Sequence, residues 1–178
     1  MIIVKERLNT LDIPTLFSWF IIYSSIGWIY ETTYCYLTTG KILNRGFLYG
    51  PYCPIYGLSI LFMILLLTDR CKNIVTLFLS CALVATVLEY ISSYWMEMVF
   101  NRRWWNYSNM MFNINGRVCL GASILFGICG VLFVRYIHPA MIRYIRNNIP
   151  ELQLRIANKI ILVLFVIDVL FSFRMSLI

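Results

Sequence analysis

Asn44-Arg45-Gly46-Phe47-Leu48-Tyr49-Gly50-Pro51-Tyr52-Cys53-Pro54-Ile55-Tyr56-Gly57 stands at the head of an apolar run, yet it carries a charge, three glycines, two prolines and three tyrosines. A helix that only faces lipid needs none of these. Glycine admits close backbone approach and unusual dihedrals, and proline removes a donor, so a regular helix is locally weakened here. Within a bilayer such backbone is tolerated where protein or water satisfies it. Two readings follow: a tight turn after a short loop, or a half-broken helix lining a polar cavity.

The surrounding chain is a membrane chain. Of its 178 residues, 61% are hydrophobic, 16% aromatic and only 13% charged, too few charges to cover a soluble domain of this size. Mean hydropathy is +0.77. The expected fold is all-α: a polytopic transmembrane helical bundle of about five spans, 13–36, 47–67, 74–99, 118–136 and 157–178, in one integral membrane domain over 1–178. A basic segment over 139–156, with Arg143 and Arg146 among Ile142, Tyr144 and Ile145, is expected on the membrane surface. Asp12 and Pro14 read as the cap and first turn of span one. Gly121, Ala122, Ser123, Gly127 and Gly130 give span four a small-residue face suited to close helix packing in lipid.

The net charge of +7 is read through topology and anionic lipid before nucleic acid, because the arginines are scattered among membrane segments. With five spans, Lys5, Arg7, Arg70, Lys72, Arg135, Arg143, Arg146, Arg155 and Lys159 fall on one side. Lys41, Arg45, Arg102, Arg103, Arg117 and Arg174 fall on or near the other. The larger group predicts a cytoplasmic N-terminus. The opening residues lack the order of charge, apolar run and cleavage site that marks a removed signal peptide. Cys35, Cys53, Cys71, Cys81, Cys119 and Cys129 show no zinc-type pairing and read as packing residues, with a disulfide among Cys35, Cys53 and Cys119 left open.

Charge within the spans carries the functional reading. Glu31, Arg45, Glu97, Arg102, Arg103 and Arg117 map to the outer ends of spans or their connections, with Glu89 about two turns deeper than Glu97. Glu89, Ser93 and Glu97 share one helix face. An acid in hydrocarbon costs about 2.5–3.5 kcal/mol on insertion scales and so finds protein, water or a partner. Arg45 and Arg117 are the natural partners, since a guanidinium holds a carboxylate by two parallel hydrogen bonds. Such pairs can simply tie helices together. They can also wall an outward-facing polar and aromatic pocket. The candidate ligand-binding residues are Glu31, Arg45, Tyr49, Tyr52, Tyr56, Glu89, Trp95, Glu97, Trp105 and Arg117, with no catalytic residue, metal ligand or cofactor expected.

Two hairpins echo each other. Tyr30-Glu31, Arg45-Gly46 and Gly57-Leu58-Ser59-Ile60-Leu61-Phe62 are followed by Glu89-Tyr90, Gly116-Arg117 and Gly121-Ala122-Ser123-Ile124-Leu125-Phe126. The recurrence fits two parallel helical hairpins plus a C-terminal helix. It also fits chance, because the spacings differ.

Gly27-Trp28-Ile29-Tyr30-Glu31, Arg45 to Pro51 with Pro54-Ile55-Tyr56-Gly57, Leu88-Glu89-Tyr90, and Trp104-Trp105-Asn106-Tyr107 followed by Asn115-Gly116-Arg117 resemble the ABC-transporter type IV family of small bacterial membrane proteins. The resemblance covers about residues 20–130. It implies a multi-pass protein of the bacterial cytoplasmic membrane and a component of a transport system, and brings no substrate. The chain has no phosphate loop, since Gly40-Lys41 is followed by Ile42. An ATPase would therefore be a separate partner. Membrane lipid, another membrane subunit and a second copy of the chain are the other partners considered, with no nucleic acid. Alternative functions are an intramembrane enzyme handling lipid headgroups and a non-catalytic subunit of a membrane complex. The enzyme is disfavoured because no nucleophile stands beside a base.

Overall fold

The computed structural model describes residues 12–41 and 46–176. Its elements are helices: α1 Ile13–Thr39, α2 Pro54–Leu67, α3 Ile74–Phe100, α4 Leu120–Leu132, a π-helical turn Phe133–Ile137, α5 His138–Asn148 and α6 Glu151–Ser176. The chain is an all-α membrane bundle. Ile13–Thr39, Ile74–Phe100, Leu120–Asn148 and Glu151–Ser176 are long and apolar enough to cross a membrane, while Pro54–Leu67 is a shorter apolar helix. At 1.5 Å per residue its 14 residues rise about 21 Å, short of a hydrocarbon core of about 30 Å.

Helix boundaries follow local chemistry. Asp12 accepts the Thr15 N–H at 3.1 Å, Pro14 occupies the first turn, and Gly40 closes α1 in the left-handed conformation at φ 68°. The Thr15 hydrogen bonds hold the Asp12 carboxyl below its ordinary value. At the head of α3, Asn73 accepts the Val75 N–H at 2.8 Å, and Asn101 closes that helix at φ 51°.

The second helix begins at Pro54, not Phe47. Residues 46–53 run without helix, as the density of glycine and proline there requires. The basic segment expected over 139–156 is helical except at 149–150. Its first part continues the fourth helix to Asn148 through the π-helical turn, and α6 has already begun at Glu151. The His138 N–H reaches the Phe133 carbonyl, a five-residue step one turn ahead of Pro139. Widening the helix there eases the proline ring past the preceding turn.

Contacts divide the chain into two compact units. The first comprises Met1–Leu61 with Ile142–Phe171, the second Phe62–Met141 with Ser172–Ile178. In the first, Ser18 Oγ donates to Asn158 Oδ1 at 2.9 Å and Asn158 Nδ2 donates to the Pro14 carbonyl at 3.2 Å, tying α1 to α6. Gly57 lies against α1, where a Cβ would stand 2.6 Å from the Phe20 carbonyl oxygen. In the second unit α3 packs on α4. Thr86 and Ser123 share a hydroxyl hydrogen bond of 2.7 Å, and an added Cβ would stand 2.7 Å from Phe78 at Gly127 and 2.6 Å from Cys81 at Gly130. Small residues thus permit the close approach that drives helix association in lipid.

Candidate functional site

The non-helical segment 46–53 folds back along α1. The Cys53 N–H donates to the Ser24 carbonyl at 2.9 Å, fifteen residues before Thr39 and so about 22 Å along the helix from its end. Two successive backbone donors, Tyr49 and Gly50, meet the two carboxylate oxygens of Asp168 at 3.2 and 3.0 Å. Irregular backbone beside a membrane helix needs such acceptors. Of the site residues expected in this unit, Glu31 accepts the Tyr56 hydroxyl. Tyr30 stands edge-on to the Tyr56 ring with centroids 6.1 Å apart. Tyr49 packs on Phe171 and Tyr52 on Phe165, at 5.2 and 5.7 Å. Arg45 lies outside the described residues.

The second unit holds a denser network. Arg117 is only 7% exposed. It forms an ion pair with Glu97, donates to Ser93 Oγ at 3.2 Å, and lies over the rings of Tyr90 and Tyr94 at 5.8 and 5.2 Å. Arg103 holds the other Glu97 oxygen at 2.8 Å and donates to the Asn115 carbonyl at 3.1 Å. Trp105 donates its indole N–H to the Arg117 carbonyl at 2.9 Å. A turn and more deeper along α3, buried Glu89 accepts the Tyr107 hydroxyl at 2.9 Å. Trp95 belongs to an aromatic cluster instead, edge-on to Phe100, which also meets Trp104 and Phe173.

The connecting loop aims these groups. Asn115 and Gly116 both take left-handed dihedrals, φ 53° and 68°, and the Arg117 N–H closes onto the Ile114 carbonyl at 3.0 Å. Ile114 and Val118 pair as an antiparallel bridge across this turn. An Asn-Gly pair suits the two positive dihedrals of a tight hairpin. Gly116 has a second reason: a Cβ there would stand 2.7 Å from Asn106 Oδ1. Asn106 accepts the Ser108 N–H, and Asn113 accepts the Gly116 N–H while donating to the Ser108 and Met110 carbonyls. Side-chain amides therefore supply many of the loop's backbone partners, and Arg117 is returned to α3.

Several contacts of the candidate site were not read from the residues. Tyr107 as the partner of Glu89, Asn115 as the bridge between Arg103 and Tyr90, and Asp168 as the acceptor for segment 46–53 all join positions far apart in the chain. Only Asn115-Gly116 carried a local signal. His138 is buried at 2% exposure. Cys35, Cys53 and Cys119 are free thiols. Among the described residues no group of three or more His, Cys, Asp or Glu side chains could hold a metal ion.

These features define a multi-pass helical membrane protein with acids and arginines joined beside non-helical connections. Over residues 18–173 the chain matches the family model "Putative ABC-transporter type IV", and it belongs to that family. It is a membrane component of a transport-family protein. No curated protein and no solved structure matches it.

Proposed function

We propose that this chain is the membrane-embedded permease component of a transport system, and that the acid–arginine network takes part in binding a small polar or amphipathic ligand. The observation that carries the reading is Arg117. A guanidinium at 7% exposure is expensive to place beside hydrocarbon, and here it lies among a carboxylate, a hydroxyl and two aromatic faces. Arg103 and Glu97 are each about one-third exposed, so the network has a face that a ligand can reach. An anionic group on the ligand competes with Glu97 for the guanidiniums, which are suited to two-point recognition of carboxylate or phosphate. Taken by itself, the first unit offers its own candidate ligand contacts: Glu31 with Tyr56, and Tyr49 and Tyr52 on the segment held by Asp168. Glu89 completes the proposed set of the second unit, and Arg45 is proposed from the sequence alone. ATP hydrolysis belongs to a separate partner chain in this reading, and the N-terminus faces the cytoplasm of a bacterium.

Uptake by proteoliposomes tests it, screened over labelled small anions, sugars and lysolipids with the wild-type chain and its co-purified partners. The screen is repeated with Arg117→Ala and Glu97→Gln. A compound moved by the wild type and by neither variant, with membrane insertion unchanged, is the expected result. Unchanged transport in both variants removes the network from the mechanism.

A further inference from the structure

Beside the network in the second unit runs an apolar groove of about 300 Å³, lined by Thr86, Val87, Tyr90, Ile91, Ile114 and Val118. Its floor is built from α3 and the Ile114–Val118 bridge. One end is polar. There the Asn115 side-chain amide donates to the Tyr90 hydroxyl at 2.9 Å, and Arg103 donates to the Asn115 carbonyl at 3.1 Å. Exposed Arg102 adjoins Arg103 and lies over the Trp104 ring at 5.4 Å. Val87, Ile91 and Ile114 are each about half exposed, so the groove opens outward along the helix.

We infer that this groove holds one anionic phospholipid, with an acyl chain along Val87, Ile91 and Ile114 and its phosphate at Arg103. The inference deepens the functional reading above by naming the class of ligand, and it rests on that reading where the two share Arg103. Apolar lining ending at a cluster of polar groups is the arrangement an amphiphile requires. Charge selects the head. Arg103, paired with Glu97, is about one-third exposed, and Arg102 next to it in the chain is exposed, so guanidiniums are open to an anionic head group beside the network. A planar guanidinium grips phosphate at two points. Thr86 and Ser123 already satisfy one another at the far end, which leaves that end no demand for a second head group.

A second groove, between α3 and α4, provides the control. It measures about 320 Å³, but its lining of Ile74, Val75, Phe78, Ile128, Val131 and Leu132 is aliphatic and aromatic throughout. It should hold only exchangeable chains.

Native mass spectrometry of the intact protein, released from micelles doped with equal phosphatidylglycerol and phosphatidylcholine, tests the assignment. The wild type should retain one phosphatidylglycerol, preferred at least several-fold over phosphatidylcholine. Val87→Trp and Ile114→Trp fill the groove from exposed positions and should each abolish retention. Arg103→Gln should abolish the preference, and Val75→Trp in the control groove should change neither. Equal retention of the two lipids by the wild type overturns the inference, as does unchanged retention in both groove variants or an equal loss in Val75→Trp. The lipid readout is separate from transport. Unchanged retention in the groove variants sinks the lipid whatever Arg117→Ala does to uptake, and unchanged uptake in Arg117→Ala sinks the transport role whatever lipid is retained.

Discussion

Gly57-Leu58-Ser59-Ile60-Leu61-Phe62 and Gly121-Ala122-Ser123-Ile124-Leu125-Phe126 differ at a single position, yet they are used differently. Gly57 is pressed against α1, with the Phe20 carbonyl in the way of any side chain, whereas a Cβ at Gly121 meets nothing within 4 Å. In the second hairpin the close approach moves along α4 to Gly127 and Gly130. Ile60 is buried at 8% and Ile124 is exposed at 43%. The same contrast holds for the acids. Glu31 is met by a phenol, while Glu97 is met by two guanidiniums. A short string fixes which residues are small or apolar, and the opposing helix decides which contact each one makes.

The largest expected effect is on the charged side of this contrast. Arg117→Ala leaves Ser93 and one oxygen of Glu97 without their guanidinium. Losing one partner of a fully buried pair costs about 3–5 kcal/mol. Glu97 is one-third exposed and keeps Arg103, so about 2–3 kcal/mol is expected in a reversible unfolding titration in micelles, with part of it restored by Arg117→Lys. A loss below about 0.5 kcal/mol would place the pair with ordinary surface ion pairs.

Next in size are the two glycines, which should respond with opposite signs. Gly57→Ala forces α2 away from α1 and should cost about 1–3 kcal/mol, the range for overpacking. Gly121→Ala gains helix propensity without a clash and should stabilise by about 0.5–1 kcal/mol. Equal effects in the same assay would mean that the two hairpins pack alike after all.

Tyr56→Phe should cost about 1 kcal/mol by removing the hydroxyl from Glu31, and Tyr107→Phe a similar amount at Glu89. Both should fall below Arg117→Ala, and a larger loss at either would reverse the ranking of neutral and charged partners. The smallest effect belongs to the helix start. Asp12→Ala should cost about 1 kcal/mol or less. Because the folded carboxyl titrates below its ordinary 3.8, the stabilisation is present above that pH and disappears as pH falls through the folded value. A wild-type minus variant stability difference that grew on acidification would contradict this cap.

Much of the fold could be read directly. The apolar runs that exceed a bilayer's thickness appear as the long helices, and Asp12-Ile13-Pro14 starts α1 where a cap and an early proline place it. The pairing of Arg117 with Glu97 followed from the cost of an isolated charge near hydrocarbon. Other features were not legible. That the tract around Arg143 and Arg146 continues helically from α4 through the wide turn before Pro139 could not be read from its own residues. The partner of Asp168 could not be guessed from its own helix, because its acceptor oxygens are used by backbone donors more than a hundred residues away. Asn115-Gly116 was the missed local clue. Read as a hairpin turn, it aims Arg117 back toward α3.

The sequence by itself determined that this chain must live in a membrane as helices, since so few charges cannot cover it in water and backbone in lipid must bond to itself. It marked the glycine- and proline-rich stretch from Gly46 as a weakened helix start but left its conformation open and drew span two from residue 47. Tertiary structure alone decided where that stretch lies, folded back to Ser24 and held by Asp168. It also decided that Arg117, rather than any other arginine of its loop, enters the aromatic cleft at Tyr90 and Tyr94. The reason is geometric. Composition and local conformation act over a few residues, whereas a buried charge or a bare backbone donor takes whichever partner the packing brings within about 3 Å.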